Sequence, residues 1–234
     1  GCYSKMGIAF EKGEAMNYVL SDIHNDYKKF CEMLHVIHFS ETDRLYVLGD
    51  LFDRCDYDPN PVDLYFKILS LGSRCAIIRG NHDEWLASYI LNYYKLQEWR
   101  RKKEKPYAYN TFRCLTRRMP PFDIQKLAEN ILSWPLQIKI QVKNENYLLA
   151  HAMTSIPEIS RDKNYYLMGY AMSEAYLKNG VDHFISVCGH RNTENHRIWR
   201  NERENLIMCD CGCGYRSGKL GCLCLETKEE FYVD

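Results

Sequence analysis

Five short apolar runs, each followed directly by residues able to bind a metal ion, constrain the fold of this chain more than any other feature in it. The runs are Tyr18-Val19-Leu20, Leu45-Tyr46-Val47-Leu48, Ala76-Ile77-Ile78, Tyr147-Leu148-Leu149 and Phe184-Ile185-Ser186-Val187. They lead into Ser21-Asp22-Ile23-His24, Gly49-Asp50-Leu51-Phe52-Asp53-Arg54, Gly80-Asn81-His82-Asp83, Leu149-Ala150-His151-Ala152 and Cys188-Gly189-His190-Arg191. Ligands of open α/β sheets bind just beyond the carboxyl ends of the strands. One such motif is weak evidence; five in a row predict strands that deliver their ends into one shared site.

The pattern between the motifs supports this. In the first half, strands at Asn17–Leu20, Arg44–Leu48 and Cys75–Ile78 alternate with helices at about Asn25–Ile37, from Pro61 to a stop at Gly72, and at Asp83–Tyr94. Phe30, Leu34 and Ile37, then Leu64, Ile68 and Leu71, recur at helical spacing. Pro61 suits a first helical position. Strand–helix–strand repetition predicts parallel pairing with right-handed crossovers. The pattern breaks around residues 93–133, which read as a helical insertion over the site and end in a helix near Asp123–Ser133. The second half is mostly strands: Leu136–Val142, Tyr147–Ala150, Phe184–Val187, Arg197–Trp199, Leu206–Cys211, Gly221–Glu226 and Phe231–Val233, with one helix near Ser173–Asn179. The expected fold class is α/β, two mixed sheets packed face to face with helices outside. Residues 16–234 read as a single domain. Residues 1–15 are polar and aperiodic and read as an extension or an expression remnant.

The motif residues supply two metal sites. Asp22, His24 and Asp50 offer three ligands for one ion, and Asp50, Asn81, His151 and His190 offer four for the other, with Asp50 shared. Asp22 and His24 stand two apart, so in an extended segment their side chains would point the same way. Carboxylate, imidazole and amide oxygen suit Mn, Fe or Zn, and two divalent ions, Mn foremost, are the expected cofactors. Ions about 4 Å apart share a water and make hydroxide at neutral pH, and they neutralise charge on a phosphoryl group. His82 and Asp53 are left over; such a pair beside the metals suits a general acid that protonates a leaving alkoxide. Arg54 offers a planar fork to phosphate oxygens. An isolated aspartate usually marks a turn or a helix cap, but the joint occurrence with the histidines outweighs that reading. His35, His38, His183 and His196 lie outside the motifs and read as surface or structural residues.

These motifs resemble the calcineurin-like metallophosphoesterases, and more narrowly their protein serine/threonine phosphatase branch, which includes bacteriophage lambda phosphatase. That pattern is GDxHG, GDxVDRG, GNHE, a lone histidine after a strand, and a final GH; here it reads SDIHN, GDLFDRC, GNHDE, AHA and GHRN. Bacterial diadenosine tetraphosphatases share the motifs. The tail Asp210-Cys211-Gly212-Cys213 … Gly218-Lys219-Leu220-Gly221-Cys222-Leu223 resembles the closing hairpin of bacterial members. Arg54 after Asp53, and Asn192 where many relatives have a last histidine, point to the phosphatase branch. The resemblance implies a four-layer α/β/β/α sandwich, a two-metal centre, His82 as acid, and Arg54 and Asn81 on the phosphate. Arg161 and Arg191 are the candidates for a second substrate arginine. The implied reaction is hydrolysis of phosphoserine or phosphothreonine in proteins. Alternatives are a dinucleoside polyphosphate such as diadenosine tetraphosphate, which would require an adenine-sized pocket, and a phosphoprotein-binding module without turnover. Ser21, Asn25 and Cys55 replace motif glycines and Asp83 replaces the usual glutamate. Asn25 and Cys55 would add side chains that narrow the cleft.

Composition sets the remaining bounds. Formal net charge is zero, so nothing draws the whole chain to nucleic acid or an acidic membrane. No apolar run approaches the roughly 20 residues of a membrane span. Eleven cysteines in 234 residues are too dispersed for a small disulfide scaffold. They suggest a reducing, cytoplasmic setting. Cys209, Cys211, Cys213, Cys222 and Cys224 read as buried thiols, with a zinc site or a disulfide as alternatives. The basic run Arg100–Lys105, diluted by Glu98 and Glu104, reads as a solvated face, with substrate or nucleic-acid contact as alternatives. Tyr89, Tyr93, Tyr94, Tyr107 and Tyr109 gather around the insertion and could line a cleft.

Overall fold

The structure is a computed structural model and describes residues 14–234. The expected N-terminal extension falls almost wholly outside the described residues.

The first sheet holds β1 (Asn17–Leu20), β2 (Arg44–Val47), β3 (Cys75–Ile77), β9 (Leu220–Cys224) and β10 (Glu230–Val233) in the order β10-β9-β1-β2-β3. β1, β2 and β3 are parallel, and the β9–β10 hairpin adds antiparallel against β1. The second sheet runs β4 (Gln137–Val142), β5 (Glu145–Ala150), β6 (Ile185–Cys188), β8 (Leu206–Met208) and β7 (Trp199–Arg200). There β5, β6 and β8 are parallel, with antiparallel strands at both edges. Both sheets are mixed and helices flank them, which is the two-sheet α/β sandwich expected from the sequence.

The strand residues show why the sheets stack. Along β1, Tyr18 and Leu20 face a helical layer, whereas Val19 faces the second sheet; along β2, Leu45 and Val47 pair with the helices and Tyr46 with the second sheet. Both faces are buried, so Tyr18–Leu20 and Leu45–Val47 are apolar on both faces rather than alternating, with the polar Asn17 and Arg44 only at the strand starts. The helical layer comprises α1 (Tyr27–Val36), α2 (Pro61–Ser70), α3 (Asn81–Lys95), α5 (Thr111–Arg118) and α6 (Pro121–Ser133). Phe30, Met33, Leu64, Ile68, Leu86, Ile90, Leu127 and Ile131 bury its inner faces. Each such side chain contributes about 1.5–3 kcal/mol. The inter-sheet core is Val19, Leu48, Ile78, Tyr147, Leu149, Val187 and Ile207. On the far face of the second sheet lie the short helices α7 (Lys163–Met168) and α8 (Glu174–Asn179), where Tyr176 bonds Thr154.

The insertion resolves into α4 (Glu98–Arg101), α5 and α6, with α6 packed along α3. α3 begins at Asn81, two residues earlier than the apolar pattern indicates, because Asn81 and His82 are polar yet buried. Gly72 does not end a helix cleanly; it opens a short 3₁₀ turn to Arg74 with φ of +58°. All ten described cysteines are free thiols. Burial pushes the Cys211 and Cys188 thiols up to about 12, and those of Cys209, Cys213 and Cys222 also upward. Such groups stay protonated, which disfavours thiolate ligation. Among the described residues, no side-chain group placed to hold a metal includes a cysteine. No described helix is long and apolar enough to cross a membrane.

Candidate metal centre

Each motif residue lies just past a strand end, as expected, but the backbone there is not extended. Asp22 and His24 have φ of +53° and +51°, so a left-handed turn brings them together instead of strand alternation. Asp50, Asp53, Arg54 and His190 share that conformation at +51°, +71°, +53° and +67°. It costs non-glycine residues about 1–3 kcal/mol each and concentrates at functional sites. Asn25 and Cys55, at φ of +63° and +47°, are left-handed too, which explains why glycine suits these positions.

The turns are held by long-range bonds. The Asp83 carboxylate accepts from the backbone N–H of Asp50 (2.8 Å), Leu51 (2.9 Å), Phe52 (3.3 Å) and Gly80 (2.9 Å), clamping one loop to the start of α3. Burial and then Asp50 push the Asp83 carboxyl up to about 7, against these donors, which favour the anion. The His82 N–H, in the first turn of α3, donates to Asp50 Oδ1 at 2.9 Å. A Cβ at Gly80 would overlap Asp50, so only glycine lets these loops approach.

Two groups of candidate ligands result: Asp22, His24 and Asp50, and Asp50, His151 and His190, with the ligand atoms of each group within 4.8 Å of one another. Asn81 Oδ1 sits 2.9 Å from both His151 Nε2 and His190 Nδ1, completing the second set. The imidazoles are oriented from behind: Nδ1–H of His24 donates to the Phe52 carbonyl at 2.9 Å, and that of His151 to the Leu48 carbonyl at 2.7 Å. This turns each Nε2 inward, the arrangement in which a backbone acceptor fixes the tautomer of a ligating histidine. His24 Nε2 is fully buried and has no hydrogen-bond partner among the described residues; it faces Asp22 at 3.7 Å and Asp50 at 3.8 Å. His190 Nδ1 and His151 Nε2 are 3.2 Å apart. Converging acceptors and an orphaned nitrogen fit a pair of divalent cations.

Electrostatics agree. Burial opposes a charge on His151, but Asp50 pushes it up to about 10, whereas burial and then His151 push His190 down to about 4. Burial opposes ionisation of Asp22 and Asp50, yet the neighbouring imidazoles hold both carboxyls below the usual range. A proton on His151 therefore balances part of the negative charge, and an entering cation would displace it.

Beside this centre, His82 Nδ1 lies 3.0 Å from Asp53 Oδ2. The His82 ring is boxed by His24, Trp85 and Tyr109 at 5.1, 4.9 and 4.9 Å between centroids. The Arg54 guanidinium rests over the Tyr215 ring at 5.0 Å and makes no ion pair among the described residues. The remaining substrate candidates are not drawn in: Arg161 is exposed and lies over the Tyr165 ring at 5.0 Å, and Arg191 is exposed next to His190.

Sequence reasoning missed what anchors the insertion. Asn25 does not narrow the cleft; it is buried and donates from Nδ2 to Thr111 Oγ1 at 2.9 Å. Cys55 is buried as well, its N–H donating to the Gly214 carbonyl. Thr111 Oγ1 also accepts from the Asp53 N–H at 3.1 Å. Thr111→Val strands two buried donors, so we expect a loss of about 2 kcal/mol in urea unfolding of the metal-free protein, which Thr111→Ser largely restores. A cost below about 0.5 kcal/mol would dismiss this anchor. Asp210 was also missed: it is buried, its Oδ2 has no partner among the described residues, and burial and then Asp22 push it up to about 7. Tyr89, Tyr93, Tyr107 and Tyr109, though not Tyr94, line a cavity of about 390 Å³ together with Phe112, Arg101 and Arg113.

A family model described as calcineurin-like phosphoesterase matches residues 18–216. The symmetrical bis(5'-nucleosyl)-tetraphosphatase of Nitrosomonas europaea is 33% identical over 67 residues, covering 28% of this chain and 24% of that protein. The match thus spans about a quarter of the length of that curated relative. Among solved structures, a candidate diadenosine tetraphosphatase superposes with a TM-score of 0.63 at 17% identity, covering 96% of this chain and 95% of the other. The cold-active protein-tyrosine phosphatase of a psychrophilic Shewanella reaches 0.56 at 17% identity, covering 94% and 78%. At such identities these structures establish the shared fold.

Proposed function

This chain belongs to the calcineurin-like phosphoesterase family, and from that premise we propose that it is a metal-dependent phosphoester hydrolase acting on phosphoserine or phosphothreonine in proteins. The observation that carries the reaction class is the His82–Asp53 pair, 3.0 Å apart, set against a carboxylate, Asp50, that belongs to both ligand groups. Asp22, His24 and Asp50 would hold one divalent ion, and Asp50, Asn81, His151 and His190 the other. Those ions would activate water and offset charge on the phosphoryl group. Arg54, half-buried and without an ion pair among the described residues, would take the phosphate oxygens, and Asn81 would add a contact. The attacking water gives a proton to solvent as its oxygen bonds to phosphorus, and the ester P–O bond breaks with its electron pair going to the leaving oxygen. His82 Nε2 gives that oxygen its proton, while Asp53 holds Nδ1–H and so the ring's direction. A protein substrate is favoured by the open rim, where Trp85 and Tyr215 are exposed beside the acid and the arginine.

One observation favours a second substrate. The tyrosine cavity is in the size range of small-molecule sites, roughly 300–1,000 Å³, and Tyr107 and Tyr109 connect it to His82 and Asp53. Its rings and two arginines suit an adenine of a dinucleoside polyphosphate. A comparison of kcat/KM for a phosphothreonine peptide and for diadenosine tetraphosphate, both with Mn2+, separates the two. We expect the peptide to be favoured by at least about tenfold, roughly 1.4 kcal/mol. The reverse ratio would assign the enzyme to nucleotides, and phosphopeptide binding without phosphate release would make it a binding module.

A further inference from the structure

We propose that Tyr107 is a positioning residue for the His82–Asp53 pair, supplied by the helical insertion. The inference rests on the reading of His82 as general acid. Tyr107 lies in the loop between α4 and α5 and donates from its hydroxyl to Asp53 Oδ2 at 2.6 Å. That is the same oxygen His82 Nδ1 approaches at 3.0 Å. Asp53 Oδ1 is buried with no hydrogen-bond partner among the described residues, so these two donors are what orient the carboxylate. A buried carboxylate with one donor can swing about its Cβ–Cγ bond; two donors on one oxygen hold it in place.

The tyrosine is itself held. Its ring packs against Tyr89 at 5.0 Å and Tyr109 at 5.9 Å, and Tyr109 in turn packs on His82 at 4.9 Å. Asp53 is pinned from the backbone side by Thr111, which opens the next helix of the insertion. Burial, followed by the neighbouring Asp53 carboxylate, pushes the Tyr107 phenol upward, so it remains a donor. The insertion thus reaches the catalytic pair through two hydroxyls, Tyr107 on the Asp53 carboxylate and Thr111 on its backbone.

The test compares wild type, Tyr107→Phe and His82→Asn with Mn2+ on two probes. Phenyl phosphate has a leaving oxygen that needs a proton; 2,4-dinitrophenyl phosphate leaves as the anion. For Tyr107→Phe we expect kcat on phenyl phosphate to fall about tenfold with KM unchanged, and less than about twofold on 2,4-dinitrophenyl phosphate. Independently of turnover, the His82 Nδ1–H proton resonance of the metal-free protein should shift in Tyr107→Phe, since the partner carboxylate has lost its second donor. Equal losses on both probes, none on either, or an unmoved resonance would overturn the proposal. If His82→Asn also fails to distinguish the probes, the acid role itself falls, and with it this inference. If only Tyr107→Phe fails to distinguish them, the inference alone is lost.

Discussion

His82→Asn should lower kcat on a phosphothreonine peptide by about 10²- to 10⁴-fold, the share general acid catalysis commonly supplies. Asparagine keeps the backbone N–H that donates to Asp50 Oδ1, so the start of α3 and its loop are retained. It removes the ring nitrogen that faces outward while its partner bonds Asp53. His82 belongs to neither ligand group, so Mn2+ stoichiometry measured on the variant should stay at wild-type level. The loss should appear in kcat with little change in KM, because the proton is needed only as the ester bond breaks. A variant that keeps near-full kcat would remove His82 from the reaction.

The second large effect concerns Asp50. Its carboxylate faces His24 at 3.8 Å and His151 at 3.4 Å, so it belongs to both candidate metal sets. Asp50→Asn preserves an acceptor for the His82 N–H but removes the charge both sites share. We expect activity to fall to background, as it should in wild type treated with a chelator. Re-adding Mn2+ should rescue the treated wild type but not the variant. Unfolding provides a second readout. At a metal concentration of 100 Kd, each occupied site stabilises the native state by about 2.7 kcal/mol. Wild type should therefore gain Tm on Mn2+ addition, and Asp50→Asn should lose most of that gain. A variant that still binds two ions with the same Tm increase would exclude Asp50 as the shared ligand.

Much of this centre was legible in the residue order. Strand ends, metal-capable side chains and the leftover His82–Asp53 pair are local features, and the structure gathers Asp22, His24, Asp50, Asn81, His151 and His190 in one place. The geometry at Asp22 and His24 was not legible, because a left-handed φ on aspartate or histidine has only weak sequence signals. Nor was the start of α3, where buried polar residues break the apolar period that marks a helix. The role of Asn25 illustrates the same limit: a side chain expected to crowd a cleft instead ties down Thr111, 86 positions away.

Residue order alone set out the five apolar runs that become strands and the metal-capable residues that follow them. It also determined the candidate ligand types and their order along the chain. How the insertion meets the chemistry emerges from packing between distant segments. Tyr107 and Thr111 reach Asp53 across 54 and 58 residues of chain. A hydroxyl carries no periodic signal, and its partner is selected by the packing that brings it within 3 Å or so of a buried acceptor or donor.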